Sequence, residues 1–217
     1  MTQPVIVVAG AGPGVSGAVA RRYAAAGFDV GLLGVERGHL DDLAKDLSAT
    51  SSVLSEVVDI TNASAARAEI EAMGRWWSRI DVVHFSPSAF REKTPMDLTV
   101  DELLDDVALG VGALLTVVQA ARPFMTAGGR ITVTGSMAAD NPWNRAASLG
   151  VQKAGVRNLV HSLDATLAPD GIRAVSVTVH GVLAHDGLFT SDRVAEAIWN
   201  AARQDEAGWL SEVAYSG

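Results

Sequence analysis

One stretch near the N-terminus, residues 5–23, restricts the possible folds more than any other part of the sequence. It begins with the apolar run Val5–Ala9, which has the length and β-branched content of a strand buried on both faces. The four glycines that follow are Gly10, Gly12, Gly14 and Gly17. An Ala- and Val-rich segment then predicts a helix. A strand that turns into a helix through glycines offers unpaired backbone N–H groups and a positive helix end to an anion, most often a phosphate of a dinucleotide.

The composition favours one soluble domain. The chain has 217 residues, 48% of them apolar, which is enough for one substantial core. The sequence contains no internal repeat, low-complexity tract or linker, so residues 1–217 are predicted to form a single domain. We expect a cytoplasmic protein, because there is no basic segment followed by a long apolar run at the N-terminus, and therefore no signal peptide or membrane span.

Charge and cysteine content exclude several kinds of partner. The formal net charge is −8, and no basic cluster offers the surface that nucleic acid needs. The chain has no cysteine, which excludes disulfides and thiolate metal sites and fits a reducing compartment. The histidines are not paired at ligand spacing, so no metal site is predicted. A small-molecule ligand remains.

Apolar runs alternate with helical patterns along the chain. Six runs predict strands, at residues 5–9, 27–33, 53–58, 80–85, 131–134 and 171–179. Helical spacing follows at residues 40–47, 65–73, 100–108, 113–124, 148–167 and 192–203, with Ser64 and Thr99 as expected N-caps. Residues 209–215 are compatible with a seventh strand. The pattern predicts an α/β fold, a doubly wound parallel sheet of Rossmann-like three-layer α/β/α type, which binds ligands outside the carboxyl ends of its strands.

Several short motifs are spread in order along nearly the whole chain. They are Gly10-Ala-Gly-Pro-Gly14, Asp59 after the third strand, Asp81-Val-Val-His-Phe-Ser86, residues 119–123, Gly129-Arg-Ile-Thr-Val-Thr-Gly-Ser136, Lys153-Ala-Gly, and Leu167-Ala-Pro-Asp-Gly-Ile-Arg173. With these motifs the chain resembles the short-chain dehydrogenase/reductase family. That resemblance implies hydride transfer between a nicotinamide and an alcohol or ketone.

The resemblance implies four catalytic positions, of which this chain keeps two. Ser136 stands where a serine polarises the substrate oxygen. Lys153 stands where a lysine grips the nicotinamide ribose and lowers the pKa of a catalytic tyrosine. The tyrosine position is Leu149, counted from both Ser136 and Lys153, and the asparagine position is Gly110. Since acid–base catalysis by a placed group is typically worth ~10²–10⁴ in rate, hydride transfer is expected to be slowed rather than abolished.

Two histidines are candidates for a replacement proton donor. His180 precedes Gly181 where the family has Pro-Gly, and His185 stands where a threonine commonly meets the nicotinamide amide. A histidine titrates near neutral pH and can act as a general acid. A water molecule is the third candidate. For either histidine taken alone, an ordinary hydrogen-bonded loop position is the favoured interpretation. His84, inside a buried strand, is predicted to be a satisfied core residue.

The resemblance also places a dinucleotide along the carboxyl edge of the sheet. The residues expected to contact it are Gly10, Gly12, Gly14, Val15, Ser16, Val35, Arg37, Asp59, Ile60, Ser86, Pro87, Ser88, Thr134, Lys153, Gly181 and Leu183. An acidic residue after the second strand would bind the ribose of NAD, and an arginine one place later would favour NADP. Those places are Gly34 and Val35. Glu36 and Arg37 follow, and either side chain could bend back to the ribose. The lack of a carboxylate at Gly34, together with Arg37, favours NADP slightly over NAD.

The sequence leaves three functions open. The first is an NAD(P)-dependent oxidoreductase acting on a small carbonyl or alcohol with an altered proton donor, and the retained Ser136 and Lys153 favour it. The second is a non-redox enzyme on the same scaffold, such as a dehydratase, isomerase or cyclase. The third is a catalytically silent nucleotide-binding subunit. By resemblance, association as a homodimer or homotetramer through residues 113–124 and the helix of Lys153 is expected. The short segment 182–191 leaves the site either open or covered by another subunit.

Overall fold

The computed structural model describes residues 3–217 and contains one parallel sheet. Its strands lie in the order β3-β2-β1-β4-β5-β6-β7. They are β1 (Val5–Ala9), β2 (Asp29–Gly34), β3 (Val53–Val57), β4 (Val82–Phe85), β5 (Arg130–Ser136), β6 (Arg173–Val179) and β7 (Glu212–Tyr215). All neighbouring strands are parallel, including β6 and β7, which pair Val177 with Val213. The predicted doubly wound fold is confirmed, and the seventh strand is present.

Seven α-helices cover the two faces of the sheet within the described residues. They are α1 (Val15–Ala24), α2 (Arg37–Leu47), α3 (Ala63–Trp77), α4 (Val100–Val107), α5 (Ala113–Ala121), α6 (Ala147–Leu167) and α7 (Ser191–Ala201). Side chains of β1 alternate between two cores, because successive residues of a strand point to opposite faces. Ile6 and Val8 pack with α1, α2 and α7, whereas Val7 and Ala9 pack with α3, α5 and α6.

A π-helical segment, Ala108–Gly112, joins α4 and α5, and a 3-10 turn, Arg122–Phe124, ends α5. The resulting stretch Val100–Phe124 is the one helix within residues 3–217 that is long and apolar enough, by length and composition, to cross a membrane. Its apolar side chains Leu114 and Val117 are fully buried in the core. This packing is that of a core helix of an α/β sandwich.

Helix caps and strand ends differ in part from the sequence predictions. Thr99 caps α4 as predicted, in a capping box in which Glu102 bonds back to the Thr99 backbone N–H at 3.0 Å. The predicted cap Ser64 is wrong, because the cap lies two residues earlier, where the side chain of Asn62 accepts from the Ala65 backbone N–H at 3.1 Å. β5 also continues to Ser136, which pairs with Val179 of β6. This extension fixes Ser136 on the rigid sheet.

Candidate active site

A cavity of about 410 Å³ opens at the carboxyl edge of the sheet, where a doubly wound fold binds ligands. Its walls come from the ends of β1, β4, β5 and β6 and from the first turns of α1 and α6. The lining residues are Gly10, Gly14, Val15, Ser16, Ser86, Ser88, Phe90, Thr134, Gly135, Ser136, Leu149, Lys153, Val179, Gly181 and Leu183. Eleven of these belong to the sites predicted from sequence, and Phe90, Gly135, Leu149 and Val179 do not.

The chain leaves β1 through a turn that only glycine fits. Gly10 has a φ of +80°, in the left-handed region that favours glycine. The backbone N–H groups of Gly10 and Ala11 both donate to the Leu33 carbonyl, at 2.9 and 2.8 Å. A Cβ on Gly10 would lie 2.7 Å from Cγ of Pro87. Pro87, predicted to contact a dinucleotide, therefore packs behind the turn and is not among the residues that line the cavity.

Ser16 and Gly17, in the first turn of α1, hold the helix close to the glycine turn at Gly12. The Ser16 hydroxyl accepts from the Gly12 backbone N–H at 3.1 Å. A Cβ on Gly17 would overlap the carbonyl oxygen of Gly12, so the helix can approach the turn only because Gly17 has no side chain. At Gly12 itself a Cβ would meet no atom within 4 Å. Gly17 thus serves packing, and Gly12 leaves open space beside the turn.

The start of α1 faces the cavity without a side-chain cap. Its N-cap is Gly14, and no acidic residue lies in its first turn. Gly14, Val15 and Ser16 all line the cavity. The N–H groups in the first turn of a helix have no intrahelical partner, and the helix dipole adds positive potential there. This end of the cavity fits an anionic group such as a pyrophosphate.

The end of β2 has no room for the carboxylate that would bind an NAD ribose. A Cβ on Gly34 would lie 2.7 Å from the Ala11 carbonyl oxygen and 3.2 Å from a methyl group of Leu40. Val35 and Arg37 are exposed beyond the strand, and Arg37 approaches Asp41 only at 4.0 Å. Neither Val35 nor Arg37 lines the cavity. The guanidinium of Arg37 is exposed at this edge of the sheet.

Asp59 and Ile60 follow β3 and also lie outside the cavity lining. The Asp59 carboxylate accepts from the side-chain hydroxyl of Thr61 at 2.7 Å and from its backbone N–H at 2.9 Å. These two bonds lower the pKa of Asp59. Ile60 is buried in the core. In this structure both residues shape the loop after β3.

Lys153 is the one ionisable side chain among the residues that line the cavity. It lies on α6 and is only 6% exposed. Its ammonium group donates to the Thr134 carbonyl at 3.1 Å. Burial lowers the pKa of Lys153 to about 8, because the charged form loses hydration that no carboxylate replaces.

Ser136 and Leu149 line the same cavity as Lys153. The Ser136 oxygen accepts from the Ala138 backbone N–H at 3.2 Å, which leaves the hydroxyl proton free to donate. Leu149 lies one helical turn before Lys153. Three of the predicted positions, Ser136, Leu149 and Lys153, therefore line one cavity, and the position of the tyrosine carries only an aliphatic side chain.

A chain of hydrogen bonds fixes the carbonyl that holds Lys153. The Ser86 hydroxyl donates to the Thr134 hydroxyl at 3.0 Å, and the Thr134 hydroxyl lies 3.4 Å from Nε2 of His84. Nδ1 of His84 lies 2.9 Å from the Thr132 hydroxyl. His84 is fully buried, and burial lowers its pKa to about 3, so the ring stays neutral. The prediction of a satisfied core histidine is confirmed.

Gln152 fills the space of the missing asparagine. Gly110 lies in the π-helical segment, where a Cβ would come within 2.7 Å of the Gln152 amide oxygen. Gln152 is fully buried, and its amide accepts from the Ala89 backbone N–H at 3.0 Å and donates to the Ala89 carbonyl at 3.2 Å. It thereby holds the loop that carries Ser88 and Phe90. Sequence reasoning missed this residue, although its place directly before Lys153 was a usable signal.

The same loop is anchored a second time outside the cavity. Arg91 donates to both carboxylate oxygens of Asp106, at 3.2 and 3.0 Å, and the Ser148 hydroxyl donates to it at 2.6 Å. Burial would raise the pKa of Asp106, but these hydrogen bonds outweigh it and the pKa is lowered. Phe90, 64% exposed, stacks on Trp143 with the ring centroids 6.3 Å apart. The cavity therefore has a fixed apolar rim.

His180 and His185 are exposed, and neither is among the residues that line the cavity. The His180 backbone N–H donates to the Tyr215 carbonyl at 2.9 Å, which ties the end of β6 to β7. Their roles as proton donors stay predictions. Neither histidine belongs to a metal cluster, since residues 3–217 contain no group of three or more His, Asp or Glu side chains that could hold a metal ion.

Comparison with known proteins identifies a family model that matches nearly the whole chain and relatives that match about four fifths of it. Residues 10–216 match a family model described as enoyl-(acyl carrier protein) reductase. An uncharacterized oxidoreductase of Staphylococcus epidermidis is 25% identical over 178 residues, which are 81% of this chain and 76% of that protein. Sulfoacetaldehyde reductase 2 of Chromohalobacter salexigens is 26% identical over 177 residues, or 80% of this chain and 70% of that protein.

The fold matches solved structures over its full length. A short-chain dehydrogenase of Burkholderia cenocepacia, solved in complex with NADP, superposes with a TM-score of 0.88 at 22% sequence identity. The match covers 100% of this chain and 97% of that one. At this identity the likeness shows the fold alone.

Proposed function

The chain belongs to the short-chain dehydrogenase/reductase family and is an oxidoreductase of that type; from this premise we propose that it transfers a hydride between NADP and a small carbonyl or alcohol, with a proton donor other than tyrosine. One observation carries the proposal. The uncapped start of α1 and the pair Ser136 and Lys153 line a single cavity. A nicotinamide cofactor, when bound, supplies the hydride. The residues of this chain bind it and handle the oxygen of the substrate.

Each part of the cavity has a role in this proposal. The N–H groups of Val15 and Ser16 bind the pyrophosphate. In this proposal Lys153 binds the nicotinamide ribose, and the free hydroxyl proton of Ser136 polarises the carbonyl oxygen. These groups orient the reactants, and orientation contributes to the rate even where the usual acid is absent.

NADP is favoured over NAD on steric and electrostatic grounds. The contact between a Cβ on Gly34 and the Ala11 carbonyl leaves no room for a ribose-binding carboxylate. Arg37, exposed at the start of α2, supplies a cation for a 2′-phosphate. The Burkholderia cenocepacia short-chain dehydrogenase, which has the same fold, was solved with NADP bound.

The cavity favours an uncharged substrate. Leu149, Phe90 and Leu183 supply apolar surface, and Lys153 is the single charge in the lining. A relative is named for sulfoacetaldehyde, an anion, yet no arginine lines this cavity to bind a sulfonate. Aldehydes or ketones with a small apolar substituent therefore fit better than anionic ones.

The proposal is tested by nucleotide binding and a substrate screen. We expect tryptophan fluorescence to report NADPH binding at least tenfold tighter than NADH. We then expect NADPH oxidation with benzaldehyde, acetophenone or cyclohexanone to exceed that with sulfoacetaldehyde. Binding of neither nucleotide would overturn the proposal. Binding without turnover of any carbonyl or alcohol would favour a silent nucleotide-binding subunit instead.

A further inference from the structure

We propose that the ammonium group of Lys153 itself delivers the proton to the carbonyl oxygen of the substrate, in place of the missing tyrosine. The inference rests on the proposed redox function and adds the identity of the proton donor. Lys153 would then act as the general acid in addition to binding the cofactor.

The lining of the cavity leaves no competing acid. Apart from Lys153, the lining consists of glycines, apolar side chains and the hydroxyls of Ser16, Ser86, Ser88, Thr134 and Ser136. Aliphatic hydroxyls do not ionise near neutral pH and cannot replace a lost proton without a partner that does. His180 and His185 lie outside the lining on exposed loop positions. Lys153 is the remaining group that can both give up and regain a proton there.

The geometry leaves protons of Lys153 available. An ammonium group has three N–H bonds, and the Thr134 carbonyl accepts one of them at 3.1 Å. Thr134 is held in turn by Ser86 and His84. The position of the amine is therefore fixed by the sheet, while its other two protons are free of protein partners within residues 3–217.

The surroundings also make Lys153 a stronger acid than an ordinary lysine. Leu149 and the backbone of the sheet surround it with little that stabilises a charge, and no carboxylate within residues 3–217 pairs with it. Burial accordingly lowers its pKa to about 8. A general acid works best when its pKa lies near the working pH, and buried lysines are known to be tuned this way.

The step balances without a further reactant. The hydride that bound NADPH would supply, becoming NADP⁺, would add to the carbonyl carbon, and the π-electron pair of the C=O bond would move to the oxygen. An O–H bond forms as an N–H bond of Lys153 breaks, with Ser136 donating a hydrogen bond to the same oxygen. Lys153 is left as a neutral amine that still donates a hydrogen bond to the Thr134 carbonyl. It regains a proton from water that enters through the open side of the cavity. In the reverse direction the neutral amine accepts the proton of the alcohol.

The test separates proton transfer from cofactor binding. Lys153→Arg keeps the positive charge but cannot release a proton, since the pKa of arginine exceeds ~12. Lys153→Met removes both the positive charge and the transferable proton and keeps a side chain of similar length. We expect both variants to lose carbonyl reduction by about 10²–10⁴-fold. Lys153→Arg should still bind NADPH within tenfold of the unmodified protein, and Lys45→Arg on the exposed face of α2 should change neither property.

A direct titration provides the readout that activity alone cannot. The chain has only three lysines, Lys45, Lys93 and Lys153. Competitive labelling with acetic anhydride across pH, resolved by mass spectrometry, titrates each one with and without NADPH. We expect the midpoint of Lys153 in the NADPH complex to coincide with the pH at which kcat/KM for reduction falls by half. The rate should fall as the pH rises, because the protonated form is the donor.

The outcomes distinguish this inference from the function beneath it. Wild-type reduction that persists in Lys153→Arg, a pH profile unrelated to the Lys153 titration, or loss of the rate in His180→Gln or His185→Gln would each overturn the role of Lys153 while leaving an oxidoreductase. Failure of the unmodified protein to bind NADPH or reduce any carbonyl would instead remove the proposed function, and the inference with it.

Discussion

Lys153 costs the folded protein stability at neutral pH. An unpaired ammonium group buried in the cavity is less stable than the same group in water, which is why its pKa falls from an ordinary value of 10.5 to about 8. Below pH 8 the folded and unfolded chains both carry the charge, and only the folded chain has it buried. Retaining such a group in a cavity is typical of functional sites, where pKa values are commonly perturbed.

This cost predicts that Lys153→Met stabilises the protein. We expect the free energy of unfolding at pH 7 to rise by ~1–3 kcal/mol, less than the full pKa shift because the bond to the Thr134 carbonyl is lost. The folded pKa is depressed, so the native lysine carries no penalty above pH 10.5, and the penalty grows as the pH falls until it is complete below 8. The gain should therefore shrink between pH 8 and 10.5. Urea denaturation at pH 7 and 10 measures it.

The matched control for this prediction is Lys45→Met. Lys45 is an exposed lysine of α2, and its replacement should leave the free energy of unfolding within ~0.5 kcal/mol of the wild type at both pH values. Destabilisation of Lys153→Met at pH 7 would show that its ammonium group is stabilised in the folded state, contrary to the cavity described above.

Leu149 is the second residue at which a substitution tests the site, because it occupies the position of the missing tyrosine. Leu149→Tyr places a phenol one helical turn before Lys153, in the cavity that also holds Ser136. A neighbouring cation favours the phenolate, so the new group becomes an effective acid. We expect carbonyl reduction with NADPH to rise at least tenfold, measured as kcat with benzaldehyde.

The control for Leu149→Tyr is Leu149→Phe, which adds the ring without the hydroxyl. Filling the cavity alone should not raise the rate. Equal rates in the two variants, with NADPH binding intact, would mean that the hydroxyl does not reach the carbonyl oxygen. Position 149 would then not be equivalent to the position of the family's catalytic tyrosine.

At the level of elements, the glycines between β1 and α1 have two different roles: one allows close packing, and another leaves open space beside the turn. Gly17 allows α1 to touch the Gly12 carbonyl, and Ser16 ties the Gly12 N–H. Gly12 lies beside open space, where a Cβ added to it would have no neighbouring atom within 4 Å. The two glycines should therefore fail in different ways when a methyl group is added.

We predict that Gly17→Ala lowers the free energy of unfolding by ~1–3 kcal/mol, because the methyl group forces the helix away from the turn. Gly12→Ala should leave stability nearly unchanged, because its methyl group would meet no atom within 4 Å. If the phosphates bind in the open space beside Gly12, although Gly12 is not among the residues that line the cavity, the same methyl group should weaken NADPH binding at least tenfold. Thermal unfolding and fluorescence titration of both variants check this pair. Unimpaired NADPH binding by Gly12→Ala would place the pyrophosphate elsewhere.

The elements themselves were largely predictable from sequence, because strands buried on both faces are continuous apolar runs. β1 was predicted to the residue, and the alternation of strands and helices indicated the doubly wound sheet. The choice between neighbouring residues that can cap the same helix was less predictable. Asn62 rather than Ser64 caps α3, since both can accept from a backbone N–H and only the path of the chain decides between them.

The site could be predicted where a residue acts through its own place in a motif, and not where its role depends on contact with another element. Ser136, Leu149 and Lys153 lie together as their spacing implied. The fit of Gln152 beside Gly110 depends on two helices meeting at a π-helical segment, which neither sequence pattern specifies alone. Likewise, the exposure of His180 and His185 follows from how the loop after β6 folds.

For the whole molecule, the face formed by α5 and α6 is the place where copies are expected to meet. An apolar groove of about 350 Å³ runs between these helices, with Leu115, Val118, Leu159 and Leu163 in its walls. Leu115 is 41% exposed. A symmetric pair of such faces would bury leucine surface that the isolated chain leaves in water, and cyclic dimers are the commonest way proteins achieve this.

We therefore predict that Leu115→Glu converts a dimer or tetramer into a smaller species, because a carboxylate buried in an apolar contact costs several kcal/mol. Sedimentation velocity measures the mass of each variant. Trp76→Glu is the control, since Trp76 is an exposed apolar residue of α3 that does not line this groove, and it should leave the mass unchanged. A wild-type monomer, or an unchanged mass in Leu115→Glu, would contradict association through α5 and α6. If the smaller species also binds NADPH as tightly as the wild type, the cavity is complete within one chain, and the short segment after β6 leaves it open to substrate rather than covered by a second copy.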